Sequence, residues 1–280
     1  MNEERGSGRG GATAPAVSPE AVARDLRALG LGRGDTVLVH SAMSRIGYVP
    51  GGAPAVVDAL LDVLGPQGTL AVPTFPFNGS MLAYVRSDPD FDLQATPSLM
   101  GAITEEVRRR PGARRSLEPT HPVAALGPAA EYLVDDHVNA AGPCDEHSPL
   151  YRLTRPGPAG AAGGFVLLLG VDFRNCTLLH TAEELSRVPF VDFRTRYRMR
   201  GRAPQGPYAM DIYCHSAPLP AAFPRIEPAL VACGRLTLGR VGRADCRLAR
   251  AADVLGVARE RLAADPYFLR RREPSPGPAA

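Results

Sequence analysis

Apolar positions along the first two thirds of the chain predict strands and helices in alternation. Residues 19–29 place their apolar side chains on one face of a helix, and Ser18 and Gly30 suit its two ends. The same periodicity predicts a buried strand over 37–39, a helix over 53–64, a strand over 69–75, a helix over 98–110 and a buried strand over 165–169. This strand–helix–strand order indicates parallel strands joined by right-handed crossovers.

The pattern changes from residue 189 onward, where aromatic, apolar and Arg positions alternate and predict a pair of antiparallel strands. We therefore expect an α/β fold with a mostly parallel central sheet. A body over 18–188 and a smaller mixed appendage over 189–270 are expected to form a single domain. The polar, Gly-rich segment 1–17 and the segment 271–280, at the end of the frayed-looking run RRREPSPGPAA, are predicted to be disordered tails.

Composition removes several classes of function. The chain of 280 residues is 45% hydrophobic and 22% charged, with a net charge of +3, which fits a soluble globular protein and gives no argument for nucleic-acid binding. All 32 of its basic Lys or Arg positions are Arg. Without Lys the chain cannot contain a Walker A phosphate loop, a pyridoxal Schiff base or a lysine nucleophile.

Cysteine usage and the lengths of the apolar runs indicate a cytoplasmic protein. The five Cys form no CxxC pair and are interpreted as reduced thiols. The N-terminal segment lacks the apolar core of a signal peptide, and no apolar run approaches the roughly 20 residues of a membrane-spanning helix. We expect no membrane partner, and a monomer or homodimer that acts on a small molecule.

Three of the six His follow predicted strands, at positions where open α/β sheets place ligands. His40 ends the first strand, His121 lies in the turn Pro-Thr-His-Pro, and His180 begins a helix after the strand over 165–169. All three are candidates for one crevice. The alternative is that each imidazole caps a turn or bonds a backbone carbonyl.

His180 is the strongest candidate because Glu183 follows it at a spacing that puts both side chains on one face of a helix. A carboxylate in that position can orient the imidazole and stabilise its protonated form. Glu184 is a weaker competitor for the same role. The alternative is an ordinary amphipathic helix start with acidic residues near its positive end.

Other catalytic sites and metal sites lack their sequence signatures. Neither a GxSxG nucleophile elbow nor an HExxH zinc motif is present. Cys214 and His215 are neighbours on a predicted strand and point to opposite faces, so both cannot hold one ion. His137 and His147 lie among polar residues and are expected to be solvated. No metal is predicted.

Three segments, taken in order, carry a more specific signal. They are LVHSAMSRIGYVPGG followed by a helix and GTLAVPTF, EPTHPVAALG followed by GPCDEHSPLYRL, and GGFVLLLGVDFRNCTLLHTAEE. In this order and at these spacings they resemble the antibiotic N-acetyltransferases of the aminoglycoside 3-N-acetyltransferase family. The similarity extends from about Leu26 to Phe268.

The resemblance implies the α/β fold of that family, acetyl-coenzyme A as the acyl donor, and no metal. It also implies that His180 is the general base and that Glu183 is the acid of the same segment. The residues that it places near the coenzyme are His40, Ser41, Ser44, Gly47, Thr74, Phe75, Ser116, His121, Val123, Ala124 and Ser148.

The sequence departs from the resistance enzymes after the LLHTAEE segment, where they carry an acidic stretch. Here Asp211 is the only acid of YAMDIYCHSAP, and it is a further candidate for orienting His180. The preceding residues 194–202 include five Arg, which either line the pocket and repel a cationic antibiotic, hold the coenzyme phosphates, or face water. The acidic loop 87–92 offers some replacement negative charge.

Together with the resemblance, these residues predict an acetyl-coenzyme A-dependent N-acetyltransferase that acts on an amine of an aminoglycoside or a related amino sugar. Transfer is direct, with His180 as the general base. One alternative is a biosynthetic N-acyltransferase that uses another small amine or another acyl-coenzyme A. A second alternative is a module that binds an acyl-coenzyme A or an antibiotic without catalysis.

Overall fold

The computed structural model describes residues 15–157, 163–215 and 219–271. Its helices are α1 (Pro19–Leu29), α2 (Met43–Ile46), α3 (Gly52–Leu64), α4 (Met81–Arg86), α5 (Ala102–Arg109), α6 (Ala130–Val134), α7 (Pro149–Leu153), α8 (Leu178–Leu185), α9 (Glu227–Ala232) and α10 (Ala251–Ala264). Its strands are β1 (Thr36–Ser41), β2 (Thr69–Pro73), β3 (Asp90–Asp92), β4 (Arg114–Arg115), β5 (Val123–Leu126), β6 (Phe165–Leu169), β7 (Tyr197–Ala203), β8 (Gly206–Ile212), β9 (Thr237–Val241) and β10 (Ala244–Arg250).

The described residues form a seven-stranded sheet in the order β4-β5-β2-β1-β6-β10-β9 and a three-stranded sheet in the order β3-β7-β8. The central strands β2, β1 and β6 are parallel, whereas the strands on either side of them are antiparallel. The predicted α/β fold is therefore confirmed, but its large sheet is mixed rather than mostly parallel. Short connections join β4 to β5 and β9 to β10. A short connection can join only antiparallel neighbours, because parallel strands need a long crossover.

The division expected at residue 188, between a body and an appendage, does not follow the sheets. β7 and β8 are the predicted antiparallel pair and lie in the small sheet, but β9 and β10 belong to the large one. β10 can lie beside β6 because it has apolar side chains that are buried on both faces of the sheet. Cys246 and Leu248 pack on one side, and Ala249 packs on the other.

Helices cover both faces of the large sheet. α1 and α3 pack on one face against Val37 and Val39 of β1, and α8 and α10 pack on the other face against Leu38. Because both of its faces are buried, β1 is a continuous apolar run rather than an alternating one. This layered packing fixes the carboxyl ends of the three parallel strands at one edge, where loops can converge.

The ends of the described chain pack against the domain. Val17, which the sequence assigned to the N-terminal tail, donates its backbone N–H to the carbonyl of Tyr48 at 2.8 Å. Arg270, the first residue of the run RRREPSPGPAA, is buried. The predicted tail residues 1–14 and 272–280 lie outside the described residues. No helix within the described ranges combines the length and the apolar character that crossing a bilayer requires.

Candidate active site

A cavity of about 400 Å³ opens at the carboxyl ends of the three parallel strands. His40 and Ser41 come from β1, Phe75 follows β2, and His180 follows β6 at the start of α8. Parallel strands bring these ends to one edge of the sheet, so side chains that are far apart in sequence share one wall. The other lining residues among those described are Pro73, Phe77, Asn78, Gly79, Met100, Thr104, His121, Arg174, Asn175 and Thr177.

Five of the predicted site residues line this cavity: His40, Ser41, Phe75, His121 and His180. The rings of Phe75 and His121 form an aromatic wall, with their centroids 4.3 Å apart. Burial lowers the pKa of His40 to about 4, so its imidazole is neutral at pH 7. The structure thus brings together residues from all three of the segments that carried the resemblance.

Three predicted coenzyme contacts are hydroxyls that hold turns instead of lining the cavity. Thr74 donates to a backbone carbonyl at 2.9 Å. Ser116 accepts from a backbone N–H of β5 at 3.0 Å. Ser148 is the N-cap of α7, where its hydroxyl accepts from a backbone N–H at 3.3 Å. These hydroxyls form hydrogen bonds within the protein that fix loops around the cavity, and their contact with the coenzyme stays a prediction.

Four further predicted contacts also lie away from the described cavity wall. Val123 and Ala124 are buried in β5, where they pair with β2. Ser44 is exposed on α2, and Gly47 follows that helix with a φ of 98° and packs against the Arg243 side chain. Of the segment from His40 to Gly47, the described cavity is therefore lined by His40 and Ser41 at the end of β1.

His180 and Glu183 are in hydrogen-bond contact on α8. The Nδ1 of His180 lies 3.0 Å from Oε2 of Glu183. The Glu183 side chain is fully buried, whereas 25% of the His180 side chain is exposed. The second ring nitrogen of His180, Nε2, makes no hydrogen bond to any described residue. One nitrogen is thus held by the protein and the other is free to meet a ligand.

A second imidazole, that of His215, completes a buried network around Glu183. Its Nε2 lies 2.9 Å from Oε2 of Glu183, and its Nδ1 lies 2.9 Å from Oε1 of Glu184. The same Nε2 is 3.0 Å from Nδ1 of His180. Arg270 donates two hydrogen bonds to Glu183, from Nε at 2.7 Å and from Nη2 at 2.5 Å.

Sequence reasoning missed His215 and Arg270 because both approach α8 from remote segments. They lie 32 and 87 residues from Glu183 along the chain. The sequence placed His215 beside Cys214 on a predicted strand, and its position near the end of that strand was the one signal available for it. Arg270 stood in the run assigned to a frayed end, and the other Arg residues there give no reason to single it out.

The network is balanced in charge: Glu183 and Glu184 are opposed by Arg270 and a protonated His215. Burial disfavours protonation of His215, but its hydrogen bonds to the two carboxylates outweigh burial and raise its pKa to about 9. Burial alone would raise the pKa of Glu183, yet hydrogen bonds from His180 and His215 hold it below its usual range. Burial, reinforced by the charge of His215, lowers the pKa of His180 to about 4, so His180 is a neutral base.

The ligand atoms of His180, Glu183 and His215 lie within 4.8 Å of one another, a spacing that can also hold a metal ion. Arg270 Nη2 lies 2.5 Å from Oε2 of Glu183 and 3.3 Å from Nε2 of His215. The guanidinium already supplies positive charge at this carboxylate and would repel a metal ion. We therefore describe these groups as a hydrogen-bonded network and not as metal ligands.

Asp211, the other carboxylate predicted to orient His180, has a different partner. It pairs with Arg198 at 2.8 Å, and more than half of each side chain is exposed. The alternation along β8 explains this, because Met210 and Ile212 are buried and Asp211 must then face outward. The carboxylate that contacts His180 is Glu183.

The Arg-rich strand β7 and the acidic strand β3 neutralise each other. Arg200 pairs with Asp88, two residues before β3, and Arg202 pairs with Asp90 at 2.9 Å. β3 and β7 are parallel neighbours, so their register sets the acids of one beside the arginines of the other. These side chains are more than half exposed, and none of them is among the described residues that line the cavity. Of the three roles considered for these arginines, facing water fits the geometry.

The free energy of unfolding is expected to rise as the pH increases from about 4 to 6.5. Burial lowers the pKa of His40 and His180 to about 4, that of His137 to about 3, and that of His121 well below its usual range. Unfolding lets each imidazole take up a proton in this range, which favours the unfolded chain by about 1.4 kcal/mol for each pKa unit. Burial raises the pKa of Glu118 to about 7, which has the opposite effect on the slope, but it involves one proton against four, so the net difference is about three protons. Urea denaturation at several pH values measures the slope.

His137 offers a variant for this experiment. Contrary to the sequence-based expectation of a solvated ring, it is buried, with Nδ1 2.9 Å from the Ser116 hydroxyl and Nε2 donating to the Pro143 carbonyl at 3.1 Å. His137→Gln should reduce the slope by about a third. His147→Gln is the matched control because 39% of the His147 side chain is exposed, and it should not reduce the slope. An unchanged slope in His137→Gln would show that buried imidazoles are not its source.

Known proteins resemble this chain over most of its length. The family model for aminoglycoside 3-N-acetyltransferases matches residues 38–263. The aminoglycoside N(3)-acetyltransferase VII of Streptomyces paromomycinus is 39% identical over 270 residues, which cover 86% of this chain and 91% of the relative. The aminoglycoside N(3)-acetyltransferase VIII of Streptomyces fradiae is 35% identical over 268 residues, which cover 83% and 87%.

Solved structures share the fold. The crystal structure of aminoglycoside acetyltransferase AAC(3)-Xa is 34% identical, with a TM-score of 0.75 over 92% of this chain and 95% of that one. AAC-IIIb in binary complex with CoASH is 28% identical, with a TM-score of 0.75 over 93% and 100%. Sisomicin-bound AAC-VIa is 29% identical, with a TM-score of 0.75 over 89% and 99%. With the sequence, the fold and these relatives in agreement, the chain belongs to the aminoglycoside 3-N-acetyltransferase family and is an N-acyltransferase.

Proposed function

We propose that this enzyme transfers the acetyl group of acetyl-coenzyme A to an amine of an aminoglycoside or a related amino sugar, with His180 as the general base. The main support is the neutral imidazole of His180, which lines the cavity while its Nδ1 is held 3.0 Å from Glu183. Family membership supports acetyl transfer, and the complex of AAC-IIIb with CoASH supports the donor.

The reaction needs a base because an amine attacks a thioester only when its nitrogen has a free lone pair. As the nitrogen attacks the thioester carbonyl, a C–N bond forms and a proton passes from the nitrogen to Nε2 of His180. The tetrahedral intermediate then breaks its C–S bond, and the departing coenzyme thiolate takes that proton from His180. A positioned base of this kind contributes about 10²–10⁴-fold in rate.

The oxyanion of the tetrahedral intermediate needs a hydrogen-bond donor in the cavity wall. The backbone N–H of Ala42 is already engaged, since it donates to the carbonyl of Leu169 at 2.9 Å. The hydroxyl of Ser41 lines the cavity and can donate, so we assign it this role. Phe75 and His121 offer an aromatic wall against which the thioester arm can lie. No step of this scheme uses a metal.

One observation favours a different acceptor as a second candidate. None of the described residues that line the cavity is a carboxylate, and the acids of the small sheet are paired with arginines. A polycationic aminoglycoside is held best by charge-assisted hydrogen bonds to carboxylates. A biosynthetic N-acyltransferase that acts on a small amine with fewer charges suits this wall better.

A screen of acceptors tests both candidates. Purified enzyme is mixed with acetyl-coenzyme A and a panel that includes kanamycin- and gentamicin-type aminoglycosides and sugars with a single amine. Free thiol is measured, and mass spectrometry reports the acylated product. Turnover with the aminoglycosides supports the first candidate, and turnover confined to single-amine acceptors or to another acyl donor supports the second. Calorimetric binding of the coenzyme without thiol release for any amine would contradict both and favour a binding module.

A further inference from the structure

We propose that His215 is a positioning residue that keeps His180 neutral, with its proton on Nδ1 and its lone pair on Nε2. This inference rests on the proposed role of His180 and extends it to a side chain outside the described cavity lining. Only 2% of the His215 side chain is exposed, so it acts through its neighbours and not on the substrates.

The contacts of His215 define its own protonation state. A carboxylate only accepts hydrogen bonds, so a ring nitrogen that faces one must carry a hydrogen. Nδ1 of His215 lies 2.9 Å from Glu184, and Nε2 lies 2.9 Å from Glu183. A neutral ring would point one lone pair at a buried carboxylate. His215 is therefore an imidazolium that bridges the two acids.

The cation of His215 decides where the proton of His180 lies. Nδ1 of His180 is 3.0 Å from Oε2 of Glu183 and 3.0 Å from Nε2 of His215. Because a carboxylate is a stronger acceptor than a neutral imidazole, His215 donates to Glu183 and not to His180. Nδ1 of His180 then donates to the same carboxylate, and its Nε2 keeps the lone pair that a general base requires.

Charge balance makes this arrangement depend on His215. Two buried carboxylates are matched by two buried cations, so a third positive charge on His180 is disfavoured. Without the imidazolium, Glu183 and Glu184 would be opposed by Arg270 alone, and His180 would take up a proton to restore the balance.

The network consists of His180, His215, Glu183, Glu184 and Arg270. The Tyr213 hydroxyl, at 2.7 Å, and the Cys144 backbone N–H, at 3.1 Å, both donate to Glu184. The other titratable groups that interact with the network through charge are Glu118, Asp145 and the Cys144 thiol, near Glu184, and His121, near His180 and His215.

The first test compares pH profiles of wild type, His215→Gln and Tyr213→Phe. Glutamine keeps a polar side chain but removes the charge, so the acid limb of kcat/KM should move from about pH 4 to about pH 7, which is about three pH units higher. At about pH 6 kcat/KM should fall by about tenfold, because most of the His180 rings are then protonated. Tyr213→Phe removes one hydrogen bond to Glu184 without changing any charge, so its acid limb should stay in place. An unmoved limb in His215→Gln, or an equal shift in Tyr213→Phe, would overturn the assignment.

The second test does not require turnover. Long-range proton–nitrogen NMR spectra of protein labelled with ¹⁵N-histidine report the protonation of each ring nitrogen. In the wild type at neutral pH we expect both nitrogens of His215 to be protonated and His180 to be neutral with its hydrogen on Nδ1. In His215→Gln, most of the His180 rings should be imidazolium at about pH 6, where the wild-type ring is still neutral. A neutral His215 ring, or a wild-type His180 protonated on Nε2, would contradict the assignment even if every acceptor is acylated. If the spectra are as expected but no acceptor leads to thiol release, the proposed function is wrong and the assignment of the network stands.

Discussion

Replacing His180 with alanine is expected to lower kcat by about 10²–10⁴-fold while the dissociation constant for acetyl-coenzyme A changes little. The substitution removes the nitrogen that accepts the proton from the amine. It leaves Glu183 bonded to Arg270 and His215, so the buried carboxylate keeps compensating charge and α8 keeps its surroundings. Steady-state thiol release measures kcat, and calorimetric titration measures coenzyme binding.

His147→Ala is the matched control for the loss of an imidazole. Its side chain is 39% exposed and its Nδ1 contacts Asp136 at 3.0 Å, away from the described cavity wall. Turnover should stay within about twofold of wild type. If His180→Ala keeps nearly full turnover, His180 is not the base. If it loses turnover only because coenzyme no longer binds, the ring serves binding instead of proton transfer.

The layered framework could be predicted from sequence because its signals are local. β1, β2 and β6 are buried on both faces and form apolar runs, while α1 carries one apolar stripe between a clear N-cap and a clear end. Strand pairing is different, because nothing within β10 specifies that its partner is β6. Several strands could pair with β10, and its own residues do not choose among them. Its apolar side chains on both faces fit a place beside β6, but this becomes clear only when the neighbouring strands are known.

The site also contains residues with a local sequence signal and residues that only the packing brings together. His180 and Glu183 lie within one turn of α8, so their spacing made them candidates, and the resemblance then implied their roles. His215 and Arg270 bring their charges from distant segments, and no periodicity reports such a contact. Ser148 was predicted from its place in a motif; its hydroxyl caps α7, and its contact with the coenzyme stays a prediction. Membership of a motif indicates proximity to the cavity, and only the packing shows which side chains reach it.

Replacing Arg270 with methionine is expected to lower the free energy of unfolding by about 3–5 kcal/mol. Arg270 is buried and donates to both carboxylate oxygens of Glu183. Methionine keeps much of the apolar length of the side chain but leaves a buried carboxylate with less compensating charge, since His215 is shared with Glu184. Removing one partner of a buried ion pair costs more than removing both, because the remaining charge is still desolvated. Urea denaturation followed by circular dichroism measures the change.

Arg271→Met is the matched control, since this neighbouring side chain is exposed, and it should change the free energy of unfolding by less than about 0.5 kcal/mol. The double variant Arg270→Met/Glu183→Gln should recover part of the stability lost in Arg270→Met, because neither charge is then left without its partner. If Arg270→Met is as stable as Arg271→Met, the ion pair does not hold the C-terminal segment against α8. If the loss is found in Arg270→Met but not in Arg271→Met, and is smaller in the double variant, the ion pair with Glu183 holds the C-terminal segment against α8, because the cost then comes from the carboxylate that is left without its partner.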